Sequence, residues 1–554
     1  MSKSPQFSRR TVLQGAGASA LLMLIAACSD SAKNATAPGS TSPGATGPGT
    51  TAAGTTTTVA ASAQDIELLT VALPSSLSNL YPGKEAGIFN YYVATLVSEG
   101  LVSPDSNGTL VPALAEKWEQ PTPTTYVYTL RADAKFSDGT PVTADDIVYS
   151  VGLSKDDKVS PNTAYYWANV KSAAKTGANE VTITLTEPDV AFEWGPAASN
   201  ALWVTSKKYV EAHKGELGTP TSLLFGTGPY KVTKFQPDSM VELERVDTWW
   251  GGKAPVKTVR INFIPEETTR ILARKSGDVD LAISISLDQL KQWEGTDHTK
   301  VLTAPDRSYV GIDFNTAVAP FDDIHVRKAI AYACNRKAYV EKLLGGHGEV
   351  ATALTTPLQL ETIMSPTEAR TALNLLDLPY DLDLAKAELA KSKVPTGFTT
   401  KVEISSSAPQ VSSAFQALAQ AVKPLGIIID IKEVPVEEWY NTIASKDFGL
   451  AYMWYFNTTG DPAELATWFF GDGNPASYKN PAVTALMASS KKETDPKKRA
   501  QIIIDAQKTA LADVPYVPLW WGEAAIAIND KYTVKDFGSY TFLSPWTPRI
   551  LTVG

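Results

Sequence analysis

Cysteine is almost absent. Of 554 residues only Cys28 and Cys334 carry a thiol, so no disulfide framework can hold the chain together. Cys334 shares one helical face with Val326, Ile330 and Ala333, the setting of a buried structural thiol and not of a nucleophile. Histidine is nearly as scarce: His213, His298, His325 and His347 are scattered without metal-ligand spacing. No metal and no cofactor is therefore expected. Positive charge is short as well. The formal net charge is −9, and losing Lys3, Arg9 and Arg10 with an N-terminal leader would take it to −12. A nucleic-acid partner, which needs a basic footprint, is not expected. Beyond the leader no stretch approaches the roughly 20 apolar residues of a membrane helix. Signatures of catalysis are missing too: there is no Gly-x-Ser-x-Gly elbow, no His-Glu-x-x-His and no phosphate-binding Gly-x-x-x-x-Gly-Lys loop. Gly226-Thr227-Gly228 and Gly251-Gly252-Lys253 read as turns. The carboxylate pairs Asp145-Asp146 and Asp322-Asp323 sit where helix starts favour negative charge. The chain does not read as an enzyme.

What is present starts at the N-terminus. Ser8-Arg9-Arg10-Thr11-Val12-Leu13 is a twin-arginine start, followed by the apolar run Ala20-Leu21-Leu22-Met23-Leu24-Ile25. That run is too short to span a bilayer and reads as an export signal of the twin-arginine type. Ile25-Ala26-Ala27-Cys28 is similar to a bacterial lipobox, so residues 1–28 are expected to form a lipoprotein signal, with Cys28 lipidated and the mature chain hung from the outer face of a membrane. Residues 29–64 are almost wholly Ser, Thr, Ala, Gly and Pro, without an aromatic residue. Such a segment cannot bury enough apolar surface to offset chain entropy, and a disordered linker reaching about 30–36 Å is expected.

The remainder is long enough for two or three lobes. Tyr126–Arg131 and Val181–Leu185 alternate as half-buried strands. Thr143-Ala144-Asp145-Asp146 resembles a capping box at the start of a helix. Strands are expected at Tyr230–Phe235, Met240–Arg245, Val259–Phe263, Val279–Ile283, Val402–Ser405, Ile427–Ile431, Gly449–Tyr455 and Val517–Trp521. Helices are expected over Thr268–Lys275, from Asp322, from Asp383 and over Lys497–Ala512. Strands and helices interleave, so the class is mixed α/β. Thirteen tryptophans, several in clusters such as Trp454-Tyr455-Phe456 and Trp520-Trp521, suit both a core and an apolar ligand cleft.

Several motifs occur together and in order. They are Leu110-Val111-Pro112-Ala113-Leu114-Ala115-Glu116-Lys117-Trp118, Phe136-Ser137-Asp138-Gly139-Thr140-Pro141, Gly226-Thr227-Gly228-Pro229-Tyr230, Lys275-Ser276-Gly277-Asp278, Asp313-Phe314-Asn315-Thr316 and Val514-Pro515-Tyr516-Val517-Pro518. This set resembles the bacterial extracellular solute-binding proteins of family 5, the peptide and nickel class that feeds ABC importers. The resemblance implies a periplasmic-binding-protein-like fold of type II (cluster C): two large lobes and a small inserted lobe around a ligand cleft. Lobe one would take residues 65–105, 201–283 and 519–554, lobe two 106–200 and lobe three 284–518.

The resemblance also implies ligand contacts. These are Gly87 and Ile88 in the first lobe, Tyr165, Tyr166 and Trp167 in the second, and Trp439, Trp454, Tyr455, Phe456, Asn457 and Thr458 in the third, with Trp520 and Trp521 at the returning crossover. Partners would be a small-molecule or oligomeric solute, an ABC permease and its ATPase, with the protein itself a monomer at the cell envelope, on the extracytoplasmic face of the plasma membrane or in the periplasm. A secreted hydrolase or a sensor-coupled binding protein on the same fold are the alternatives. One departure stands out. Peptide-binding members place an aspartate in the third-lobe loop to pair with the peptide's amino group, and Thr458 occupies that position here. A hydroxyl cannot supply the charge, so a neutral polyhydroxylated or amphipathic solute is expected. Asp461, before Pro462, is expected to be a turn element.

Overall fold

A computed structural model describes residues 65–85, 87–375 and 378–553. The leader, Cys28 and the polar linker lie outside the described residues.

The first lobe is built on a seven-stranded mixed sheet in the order Thr299–Pro305, Glu523–Asn529, Leu281–Ile283, Ile66–Leu73, Val256–Phe263, Met240–Arg245 and Tyr230–Gln236. Ile66–Leu73 lies in its middle and runs parallel to both neighbours, Val71 facing Ile261 on one side and Leu281 on the other. The outer pairs are antiparallel. The helix Ile88–Val97 packs in this lobe's core and is buried on nearly every side.

The second lobe is a four-stranded antiparallel sheet, ordered Ala115–Thr122, Thr125–Leu130, Glu180–Leu185 and Val170–Gly177. Alternation turns Tyr126, Tyr128 and Leu130, with Val181, Ile183 and Leu185, onto the helix Ala144–Lys155. That helix opens with the expected capping box. Asp146 N–H donates to Thr143 Oγ1 at 3.3 Å, and Asp146 Oδ2 accepts from Thr143 N–H at 3.1 Å.

The third lobe holds an antiparallel sheet, ordered Glu349–Val350, Tyr516–Trp521, Ser308–Phe314 and Leu450–Phe456. A separate parallel pair, Phe398–Ser405 with Ile427–Val434, packs against the helix Pro409–Val422. Cys334 is buried here, its thiol donating to Ile330 O at 3.3 Å, and burial pushes the thiol up to about 12.

The chain crosses between the large lobes twice, from Pro305 to Ser308 and from Trp521 to Glu523. This corrects the expected boundaries. Thr299–Pro305 falls within the span 284–518 expected for lobe three, yet it pairs with Glu523–Asn529 in the first lobe's sheet, in register from Thr299 opposite Asn529 to Pro305 opposite Glu523. The return lies after Trp521 and not at 519, because Tyr516–Trp521 is paired within the third lobe's sheet. Among the described residues no helix is long and apolar enough to cross a membrane, and no cluster of side chains could hold a metal ion.

Candidate ligand cleft

A cavity of about 1300 Å³ opens where the three lobes meet. The first lobe contributes the start of the helix Ile88–Val97. Gly87 precedes it with φ 123°, a backbone angle open to glycine and strained for any side chain. A Cβ built on Gly87 would lie 3.7 Å from Tyr440 Oη, so first and third lobes approach each other there. The second lobe offers Tyr165 and Tyr166, whose rings lie 4.1 Å apart. The third lobe offers the strand Leu450–Phe456 and the helix Val436–Ser445. Residues two apart share a face of a strand. Thus Trp454 and Phe456 stack at 5.2 Å, and Tyr452 stacks on Trp439 at 4.9 Å.

Of the residues implied by resemblance, Gly87, Ile88, Tyr165, Tyr166, Trp439, Trp454, Tyr455, Phe456, Thr458 and Trp520 line this cavity. Three do not. Trp167 turns inward from a short 3-10 turn, its Nε1–H donating to Ala201 O at 3.1 Å and its ring set edge-on against Phe192. Asn457 is buried and donates through Nδ2 to Arg307 O at 2.7 Å. Trp521 follows Trp520 on a strand and so faces the other way, packing with Ala351, Leu360 and Ile504.

Thr458 is tied to a carboxylate that sequence reasoning missed. Glu464 Oε1 accepts from Thr458 N–H at 2.9 Å, from Thr458 Oγ1 at 3.3 Å and from Tyr455 Oη at 3.2 Å. Its Oε2 accepts from Thr459 N–H at 2.8 Å and from Thr459 Oγ1. Burial pushes this carboxyl above its ordinary value, against the pull of those bonds. With its lone pairs used this way, Glu464 orders the loop and has little left for a ligand. Asp461 is likewise committed. It caps the following turn, accepting from Ala463 N–H at 2.8 Å, and holds the buried Arg499 through two bonds of 2.7 and 2.9 Å. Tyr440, Tyr92 and Arg307 also line the cavity and were not singled out from sequence. For Arg307 the available signal was a lone guanidinium between two strand-like runs.

The comparisons agree with this geometry. The sequence model described as "Bacterial extracellular solute-binding proteins, family 5 Middle" matches residues 109–477. The chain is 27% identical over 437 residues to heme-binding protein A of Haemophilus influenzae, covering 74% of this chain and 78% of that protein. It is 25% identical over 498 residues to the periplasmic oligopeptide-binding protein OppA of Salmonella typhimurium, covering 85% and 89%. Among solved structures, the binding protein AgaA of A. tumefaciens R10 in complex with agropinic acid superposes with a TM-score of 0.77 at 23% identity, covering 88% of this chain and 99% of that one. That last likeness bears on the fold alone. With a family match spanning more than half of its length and a cleft between lobes joined by two crossings, the chain belongs to the bacterial extracellular solute-binding proteins of family 5.

Proposed function

We propose that this binding protein works on a lipid tether at the outer face of the plasma membrane, traps one solute by closing its lobes and hands it to an ABC importer. The observation that carries the reading is the aromatic-walled cavity of about 1300 Å³ at the meeting of the lobes, the two large ones linked by two chain crossings among the described residues. Two links leave the lobes free to rock, and a ligand that touches both sides favours the closed arrangement. The relatives' names cover heme, oligopeptides and glutathione, so the class of solute must come from this cleft. Thr458, with Asp461 paired to Arg499 and Glu464 bonded to its own loop, leaves no free carboxylate among the described residues of this loop, where an amino group would be received. An ordinary peptide held by its amino end is therefore disfavoured, because burying an ammonium without its counter-ion costs several kcal/mol.

A native mass spectrum of the protein purified from its own cells tests the role. The expected result is one unmodified solute per chain, while release of a cleaved product would favour a hydrolase. The anchor rests on the twin-arginine leader and Ile25-Ala26-Ala27-Cys28. Cys28→Ala should release the protein from the membrane fraction, and a variant that still sediments after a salt wash would count against lipidation.

A further inference from the structure

Among the described residues, the buried side-chain polar atoms of the cavity lining that lack a protein partner are three N–H groups, of Trp439, Trp454 and Arg270, and the Ser539 hydroxyl, which can donate or accept. Trp439 and Trp454 both line the cavity, and each indole Nε1–H is buried with no acceptor among the described residues. Arg307 lines it as well and is 1% exposed. Its Nε donates to Asn457 O, one Nη to Ser539 O and the other to Tyr92 Oη at 3.3 Å, with the guanidinium 5.3 Å from the centre of the Tyr540 ring. A guanidinium has five N–H groups, so two remain beyond these three bonds. Arg307 forms no ion pair among the described residues, unlike Arg499 with Asp461 or Arg270 with Glu267. Arg327 also lacks an ion pair, but it serves the carbonyls of Phe321, Asp513 and Val514 away from the cavity.

The carboxylates of the lining are either bonded within the protein or exposed at its edge. Glu85 takes the N–H groups of Ser78 and Asn79. Glu267 takes Ser286 N–H and Trp293 Nε1–H besides Arg270. Asp306 takes Arg307 N–H and the Ser308 hydroxyl, and Glu523 meets His347 Nδ1 at 3.2 Å. Asp238 and Glu266 are exposed at the rim.

The donors form a row. Trp439 stacks on Tyr452, Trp454 follows two residues along the strand, and Phe456 at its end pairs with Ser308, the neighbour of Arg307. At about 3.3 Å per residue the row spans roughly 13 Å. We infer that the cleft selects, in place of the neutral solute expected from Thr458, an acidic, acceptor-rich solute with a flat apolar body, whose acid group seats on Arg307 and whose other acceptors take the indole N–H groups of Trp439 and Trp454. This deepens the solute-binding role proposed above and rests on it.

Two fluorescent probes of one ring system test it: anilinonaphthalene sulfonate and phenyl-naphthylamine, which lacks the sulfonate. The purified full-length chain should bind the sulfonate at least about tenfold more tightly than the neutral probe, the scale of a bond to a charged group. Arg307→Met should erase that preference while changing the neutral probe's affinity by less than about twofold, and Arg307→Lys should restore part of it. Because Arg307 also ties three segments together, the preference of the unaltered protein is the primary readout and does not depend on a variant folding. Equal affinity for both probes, binding of neither, or a parallel loss of both in Arg307→Met would overturn the acid anchor. Each of those results leaves the solute-binding role standing, since that role is read from the ligand recovered by native mass spectrometry.

Discussion

Glu99 receives the indole N–H groups of Trp249 and Trp250, at 3.2 and 3.0 Å, in a site where burial pushes its carboxyl from an ordinary 4.5 up to about 7. The folded state thus favours the protonated acid, and the unfolded chain gives the proton up near 4.5. Stability from this group is full below about pH 4.5, falls as pH rises and is lost above about pH 7. Glu99→Gln keeps an acceptor for the indoles and removes the titration, so its melting temperature should fall less between pH 5 and pH 7.5 than that of the unaltered protein. Parallel curves would show that Glu99 does not titrate in this range. At Thr458 the expectation concerns affinity. Calorimetry with a short peptide and its N-acetylated form should find both weak and alike, and tight binding abolished by acetylation would reveal an amino-group anchor. Single residues were unevenly legible. The aromatic stretch 454–456 lines the cavity, but Trp520 and Trp521 differ in facing by the alternation of a strand whose phase only its partners fix. Glu464 was invisible because its role comes from a loop folding back on it.

At the scale of elements, legibility followed contrast between apolar and polar positions. The helix Ala144–Lys155 was readable from its capping box and its one-sided face. The helix Ile88–Val97 carries no such contrast, since nine of its ten side chains are buried, and it went unread. The strand Ala115–Thr122 failed for the opposite reason: it is an edge strand exposed along most of its length, so its sequence is polar. The helix Pro496–Ala512 was read correctly, though not its tie through Arg499 to Asp461, where side chains of 7% and 6% exposure meet. Arg499→Met would leave Asp461 buried and unpaired, and urea unfolding should register a loss of about 3–5 kcal/mol. Adding Asp461→Asn should recover part of it. A loss no larger than that of a surface pair, about 1 kcal/mol or less, would mean that water reaches the site.

For the whole molecule, motifs along the chain indicated the family, but no local pattern says which sheet a strand joins. That is why Thr299–Pro305 was assigned to the wrong lobe. Closure can be measured directly. Solution scattering should show a smaller radius of gyration once the recovered solute is added, and a solute at 100 times its dissociation constant should stabilise the protein by about 2.7 kcal/mol. Proven binding with an unchanged radius would reject rocking lobes. The position of Ile66–Leu73 has a mechanical consequence. Asp65, just ahead of it, is pinned by Arg245 at 3.0 Å and Lys253 at 2.9 Å, and the strand runs parallel to a neighbour on each side. A pull on the chain ahead of Asp65 therefore loads two ladders of hydrogen bonds in shear, all sharing the strain, where a hairpin at an edge would unzip bond by bond. The third lobe lies outside that line of force, so tension applied at Asp65 should leave it undisturbed. Optical-tweezer traces pulled through residue 65 should rupture the first lobe at higher force than traces that peel the edge strand Tyr230–Gln236.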